Sequence, residues 1–424
     1  MMIAIGRWAA LLLVLRAGAM TPAMCAQTDE SAKPPGAARE RDTSSMLSAR
    51  RVGALPPAER DAWMQYLERS QGEQERDKAL IDGELRSLGR RNMTRAPYAK
   101  EAFGVSPAMT TAWFRSDSGR RMADIVLSFQ TPSGGWSKHV DLTRHTRMPG
   151  ESFFSENENW QYIATIDNEA TTSQLRFLAL ANDATPGGNA PSRTAFVRAL
   201  DYLDHAQFPN GCWPQVYPLQ GGYHDAATFN DDATINVMRI LRDVAAGTPA
   251  FVPEDVRRRA GASVARAIEC IVRSQVVVNG VATVWGQQHD PLTLEPVAAR
   301  SYEPVSLSGK ESASIAAFLM TLPSPDARVV AAVHAAADWF EHTAVRGYVY
   351  DAEDGLQRRE NGGPIWARMT EIGTNRPIFS NRDGIIRYDW NQLTDRREGY
   401  AWYSGEPAAV LKTYARWAKT HPRK

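Results

Sequence analysis

Two loops of one make, Gln130-Thr-Pro-Ser-Gly-Gly-Trp136 and Gln207-Phe-Pro-Asn-Gly-Cys-Trp213, each close an apolar-periodic stretch. A helix followed by the same turn, met twice, restricts the chain to stacked supersecondary units. A weaker third copy, Ser274-Gln275 followed by Asn279-Gly280 and Trp285, arrives after a similar interval. The expected fold is mainly α: an α/α toroid-like ring of helix pairs with a smaller irregular part of short strands, and function on the loops.

The helical stretches carry their own signature. Phe196, Leu200 and Leu203 recur at i, i+4 and i+7; Ile235, Met238, Leu241 and Val244 repeat every three; Val329, Val333, Ala336 and Phe340 do likewise. Each is the apolar stripe of an amphipathic helix. From Arg346 the pattern changes. Gly347-Tyr-Val-Tyr350, Asn361-Gly-Gly-Pro364 and Asn381-Arg-Asp-Gly384 bring turn residues and short β-prone runs, which predict loops and brief strands rather than helix.

The start of the chain reads as a targeting segment. A basic opening to Arg7, an apolar run from Trp8 to Leu15 and the small residues Ala17-Gly18-Ala19 fit a secretory signal peptide over residues 1–26, with the protein secreted or periplasmic. The run is too short to span a bilayer, so no membrane association is expected. Residues 27–60, rich in Ala, Pro, Ser and scattered charge, read as a flexible linker before a catalytic domain over 61–424, with folded sequence starting near Ala62. Past the signal only Cys212 and Cys270 remain, and the sequence leaves their pairing open. A net charge of +1 predicts no global attraction to polyanions, hence no nucleic-acid partner, and requires any acidic ligand to be met locally. Nothing in the pattern calls for more than a monomer.

Two acidic clusters stand just before helical patterns: Thr165-Ile-Asp167-Asn168-Glu169 and Thr228-Phe-Asn230-Asp231-Asp232. Clusters of carboxylates and amides suit a hard cation such as Ca²⁺. Each also fits an ordinary helix N-cap, where acids complement the helix dipole. In the tail, Arg368, Arg376, Arg382, Arg387, Arg396 and Arg397 lie among Trp366, Tyr388, Trp390, Tyr400, Trp402 and Tyr403, a composition suited to gripping carboxylates beside sugar faces. It equally suits a solvated basic surface. Trp136, Trp213 and Trp285 fit either a sugar platform or, with more weight, core anchors of their loops. No GxSxG, GxxxxGK[ST] or GxGxxG is present, and His289-Asp290 lacks zinc-site spacing, which leaves nucleophilic-hydrolase, nucleotide-binding and zinc readings without support.

Taken together, Gly134-Gly-Trp-Ser-Lys138, Thr165-Ile-Asp-Asn-Glu-Ala-Thr-Thr172, Phe208-Pro-Asn-Gly-Cys-Trp-Pro-Gln215, Thr228-Phe-Asn-Asp-Asp-Ala233, Val284-Trp-Gly-Gln-Gln-His-Asp-Pro291, Ala299-Arg-Ser-Tyr-Glu-Pro304 and Leu307-Ser-Gly-Lys-Glu-Ser312 closely resemble polysaccharide lyase family 10, the pectate lyases. The match runs over about residues 110 to 405. The resemblance implies a toroid-like catalytic domain that cuts de-esterified α-1,4-polygalacturonate, the pectate polymer, by Ca²⁺-assisted anti β-elimination. It implies Arg300, the catalytic arginine, and Asp167 as catalytic residues, and Asp167, Asn168, Asp231 and Asp232 around calcium. Lys138, Asn230 and Tyr302, with Arg376, Arg382 and Arg397 of the tail, are expected at the substrate. Three positions depart from the family pattern: Cys212 replaces a usual Gly, Lys310 a frequent Ser, and Glu169 a frequent Gly.

Arg300 as general base is chemically demanding, because a guanidinium with a pKa above about 12 is protonated at ordinary pH. An optimum well above neutral pH follows. Two rivals stand beside this reading. One is an α/α-toroid glycosidase using Asp167, Asp231, Asp232 or Glu303 as its acid and base, without calcium. The other is a pectin-binding protein that kept the cleft and lost turnover.

Overall fold

The loop tryptophans turn out to be helix caps. A computed structural model describes residues 46–156 and 163–423, and all of these fall within one unit, residues 43–424. Its helices are α1 (Ala49–Gly53), α2 (Pro57–Ser87), α3 (Thr111–Arg115), α4 (Asp117–Ser128), α5 (Thr172–Ala184), α6 (Ala190–Ala206), α7 (Ala233–Ala245), α8 (Glu254–Ser274), α9 (Gly309–Leu319), α10 (Ala327–Thr343) and α11 (Glu406–Trp417). The indole N–H of Trp136 donates to Val126 O in the last turn of α4, that of Trp213 to Leu203 O in α6, and that of Trp285 to Ile271 O in α8, each at 2.7 Å. The last carbonyls of a helix have no partner within it, so each tryptophan satisfies one while burying its ring.

The repeated glutamine makes the second link. Gln130 Nε2 donates to Gly134 O in its own loop (2.7 Å) and to Ala195 O in α6 (2.8 Å). Gln207 Nε2 bonds Gly211 O (2.8 Å) and Ser263 O in α8 (2.9 Å), and Gln275 Nε2 bonds Thr283 O (2.9 Å) and Ala332 O in α10 (3.0 Å). Every loop is thereby fastened to the next helix along. The resulting order is α4–α6–α8–α10 in one layer and α5–α7–α9–α11 in the other, with neighbours in contact within and between layers. Gly134 is required at its turn: its φ is +109°, and a Cβ there would lie 2.6 Å from Arg198 O.

Between the layers lies one large apolar core, in which Trp136, Trp213 and Trp285 are at most 1% exposed. That exposure rules out the sugar-platform reading for these rings. A fourth tryptophan of the same kind, Trp366, caps Phe340 O of α10 at 2.7 Å. It escapes the sequence repeat because a hairpin, residues 348–358, is inserted between helix and tryptophan. Cys212 of the second loop is disulfide-bonded to Cys270 of α8, with Cα atoms 5.5 Å apart.

Two boundaries differ from expectation. Order begins ahead of Ala62: residues 46–60, read as linker, hold α1 and the first turn of α2, with Leu47 and Val52 buried and Ser48 capping α1. So short a helix leaves no periodicity to read. The signal peptide and the linker up to residue 45 lie outside the described residues. α2 then runs along the core with Trp63 and Tyr66 against Phe208, ring centroids 5.3 and 5.1 Å apart. In the tail the short antiparallel pairs appear as expected, Leu307–Ser308 with Met369–Thr370 and Trp366–Ala367 with Tyr403–Ser404 among them. The tail nevertheless ends in α11, whose Val410 and Trp417 are buried and which packs on α9 and α10. Its stripe is brief and falls among turn residues. Among the described residues no helix is long and apolar enough to cross a membrane.

Gln207→Ala strips two buried carbonyls of their donor. We expect a loss of about 2–4 kcal/mol in unfolding free energy, read by denaturant titration, with a far-ultraviolet spectrum still helical.

Candidate active site

The two acidic clusters are the same turn built twice. In Thr165–Thr171, the Thr165 hydroxyl accepts from Asp167 N (3.0 Å) and Thr171 Oγ1 donates to Thr165 O (2.8 Å). In Thr228–Thr234, Thr228 Oγ1 accepts from Asn230 N (3.3 Å) and Thr234 Oγ1 donates to Thr228 O (2.5 Å). Inside each loop two successive residues have positive φ, Asn168 (47°) and Glu169 (60°), Asp231 (47°) and Asp232 (60°), and in the first loop Thr171 (62°) does as well. Asn and Asp tolerate that conformation better than other side chains, so the residue choice follows the turn. Neither α5 nor α7 receives a side-chain cap from its cluster, which removes the simple N-cap reading. The strand around Pro214–Val216 bridges Thr165 on one side and Ala227 on the other, bringing the turns into contact.

Asp167 is 3% exposed, and its Oδ2 accepts from Lys138 Nζ at 2.8 Å. Lys138 also lies 3.5 Å from Glu156 Oε2. Asp167 Oδ1 is buried without a hydrogen-bond partner, which fits a cation or a donor brought by a ligand. Asn168 reaches His139 at 3.3 Å. Glu169 points along α5 to Ser173 (3.3 Å) and Arg176 (3.7 Å), so its extra charge leaves the cluster.

Asp231 is differently placed. Its Oδ1 takes Arg368 Nη2 at 2.9 Å and Lys310 Nζ at 3.2 Å, and its Oδ2 takes Asn230 Nδ2 at 2.8 Å. Burial alone would raise this carboxyl's pKa, but the Arg368 and Lys310 cations hold it well below the usual range. Arg368 also donates to Asn230 Oδ1 (3.2 Å) and Glu311 Oε1 (2.8 Å) and lies 4.6 Å above the Tyr400 ring. Asn230, itself buried, is thus a support rather than a free substrate ligand. Burial and then the Glu311 charge raise the pKa of Asp232, whose Oδ1 also lacks a partner. Among the described residues no three His, Cys, Asp or Glu side chains converge to hold an ion. Asp167 therefore fits calcium through its open oxygen, and Asp231, already paired with two cations, does not.

Arg300 forms a two-pronged pair with buried Glu303, Nε to Oε2 at 2.8 Å and Nη2 to Oε1 at 2.6 Å, and Tyr400 OH donates to the same carboxylate at 3.1 Å. Burial works against the charged guanidinium, yet the Glu303 hydrogen bonds and charge outweigh it and raise the pKa of Arg300. Tyr302, 5% exposed, is an apolar plate: Arg300 lies 4.8 Å and Arg396 4.3 Å from its ring centre, and the Arg382 charge acts on its hydroxyl. His224, buried at 5% exposure, lies within reach of the charges of Lys138, Asp167 and Arg300. Burial, followed by the charges of Lys138 and Arg300 against that of Asp167, lowers its pKa from 6.5 to about 4.

Asp167, Asn168, Asp231, Asp232, Lys138, Asn230, Arg300, Tyr302 and Arg382 thus belong to one neighbourhood. Arg376 and Arg397 do not join it through any described contact: Arg376 lies 3.8 Å over Tyr388 and Arg397 4.2 Å over Trp390. Sequence reasoning named Arg368 and Arg396 only among the tail arginines and Glu303 only as an acid of the glycosidase rival, and it did not single out Glu311 or His224. Glu303 and Glu311 do fall inside quoted motifs, so that signal was present. For His224 nothing local distinguished it.

A helical two-layer fold with paired acids and a guanidinium array on its loops fits a toroid-like polysaccharide lyase. A family model described as pectic acid lyase matches residues 130–411, and the chain belongs to that family. Among solved structures it is similar to a family 10 polysaccharide lyase from Cellvibrio cellulosa, at 34% identity and TM-score 0.63, covering 74% of this chain and 98% of that one. It is equally similar to a single-residue mutant of that lyase in complex with trigalacturonic acid, at 34% identity and TM-score 0.64, covering 74% and 99%. No curated protein matches the chain in sequence. Membership of a lyase family removes the glycosidase rival.

The depressed pKa of His224 gives a direct check. Its imidazole shifts should stay flat from about pH 9 to pH 5 and move only near pH 4 in an NMR titration. Because the unfolded imidazole, at the usual 6.5, binds protons first, His224 lowers stability as pH falls from there towards about 4.

Proposed function

We propose that this lyase cleaves de-esterified α-1,4-polygalacturonate by anti β-elimination, releasing 4,5-unsaturated oligogalacturonides. The observation that carries the reading is a local array of cations in a chain of low net charge: Lys138 on Asp167, Lys310 and Arg368 on Asp231, and Arg300, Arg382 and Arg396 around Tyr302. Such an array suits repeated uronate carboxylates. The complex of the Cellvibrio relative with trigalacturonic acid supports the same substrate class.

In the reaction the C5–H bond breaks, its electron pair forms the C4–C5 double bond, and the C4–O4 bond breaks. The departing O4 takes a proton from water. The C5 proton is weakly acidic because it sits alpha to a carboxylate, so fixed positive charge must stabilise the enolate-like transition state. Lys138 and the guanidinium groups are placed for that work. Arg300 accepts the C5 proton in its neutral form and returns it to solvent. Pairing with Glu303 keeps that form scarce, and its fraction grows about tenfold per pH unit. Ca²⁺, when bound, supplies further charge withdrawal from the uronate carboxylate, and Asp167 with Asn168 are the residues that would hold it.

Export through a signal peptide over residues 1–26 completes the proposal. The Cys212–Cys270 disulfide supports an oxidising compartment, secreted or periplasmic.

Incubation with polygalacturonate should give ultraviolet-absorbing unsaturated product. Its kcat/KM should rise with a slope near one per unit between about pH 7 and pH 10, and Arg300→Ala should lose about 1,000-fold or more. A flat profile would exclude Arg300 as base, and binding without product would select the rival of a silent pectin-binding protein.

A further inference from the structure

The two acids of the repeated turn meet cations in different ways. Asp167 has a single ammonium, Lys138, on Oδ2 and an open Oδ1. Asp231 carries two cations on one oxygen, Arg368 and Lys310, and an amide on the other. Arg368 is buried and shared with Glu311, and belongs to the framework. Lys310 is the adjustable one: its side chain keeps 26% exposure, enough to face an incoming ligand.

The direction of Lys310 is set by its surroundings. It follows Gly309, where a Cβ would lie 2.8 Å from Ala367 O, so the start of α9 sits hard against the Trp366–Ala367 strand. The next residue, Glu311, is fully buried, accepts from the Ser308 hydroxyl and pairs with Arg368 at 2.8 Å. With both neighbours fixed, Lys310 projects toward the Asp231 turn, and a second cation entering there would stand against two like charges. A lysine is a compact point charge on a flexible stem, able to serve Asp231 at rest and a substrate carboxylate when one arrives.

We propose that the Lys310 ammonium is a built-in cation at Asp231, filling the place a divalent metal would take there and supplying its charge to the uronate carboxylate. Metal dependence is then confined to the Asp167 side, and removal of divalent ions costs only part of the rate. This rests on the elimination reading above.

The test titrates Ca²⁺ into the full chain by calorimetry at about pH 8, where lysine is charged, for wild type, Lys310→Gln and Lys310→Arg. Initial rates on polygalacturonate with chelator run alongside. Lys310→Gln should bind Ca²⁺ about tenfold or more tightly than wild type, while Lys310→Arg, which keeps the charge, should match wild type. Under chelator the wild type should retain a measurable rate, and Lys310→Gln should lose it and recover when Ca²⁺ is restored. Lys310→Met, which keeps the stem, serves as a second uncharged variant if Gln disturbs α9. Equal Ca²⁺ affinity in wild type and both uncharged variants overturns the proposal. Absence of unsaturated product from every protein would instead overturn the elimination reading, and the Ca²⁺ titration would still decide the role of Lys310.

Discussion

The indole N–H that closes the last turn of α4, α6, α8 and α10 is the contact on which the rest of this protein depends. Helices of 12 to 21 residues end in open carbonyls, and in α4, α6, α8 and α10 a tryptophan from the following segment takes one of them. The ring is buried in the same act, so polar satisfaction and apolar packing point to one geometry. The glutamine of each loop then reaches the next helix, and spacing between helices follows from a side chain of fixed length.

That frame is what allows the acidic turns to be strained. Four consecutive-pair residues, Asn168, Glu169, Asp231 and Asp232, hold positive φ. A backbone of this kind persists only where its surroundings over-determine it. Threonine hydroxyls at both ends of each turn do so, and the backbone N–H of Trp136 donates to the Thr171 hydroxyl at 3.0 Å, tying cap loop to acidic turn. A disturbance of the tryptophan loops is therefore transmitted to the charged groups through such bonds, Thr165 N to Trp136 O at 3.0 Å and Thr228 N to Trp213 O at 2.9 Å among them.

The electrostatics of the cleft show how neighbours outweigh residue type. Two aspartates of equal intrinsic acidity end with one oxygen open in Asp167 and none in Asp231, because Arg368 and Lys310 arrive from other elements. A histidine near Lys138 and Arg300 is held neutral, and Arg300 is held cationic by Glu303. The acid-base character of the site is a property of the assembly.

Much of this was legible beforehand. The Gln-to-Trp loops, the helical stripes, the core role of the tryptophans and the acidic turns are all local patterns, written within a few residues of one another and set by short-range geometry. Other features were not: the fourth cap at Trp366, α11 in the irregular tail and the early start at α1. The departure of Arg376 and Arg397 from the cluster also needed the fold. Arg368 and Asp231 stand 137 positions apart, and Tyr400 and Glu303 97 apart. The sequence by itself determined the repeat, the fold class and the kinds of group available for chemistry, since these depend on periodicity and composition. Only the tertiary structure decided which acid is neutralised and which arginine is buried, because a charge's partner is chosen by how distant helices and loops dock, and the strength of that pairing by how far they exclude water.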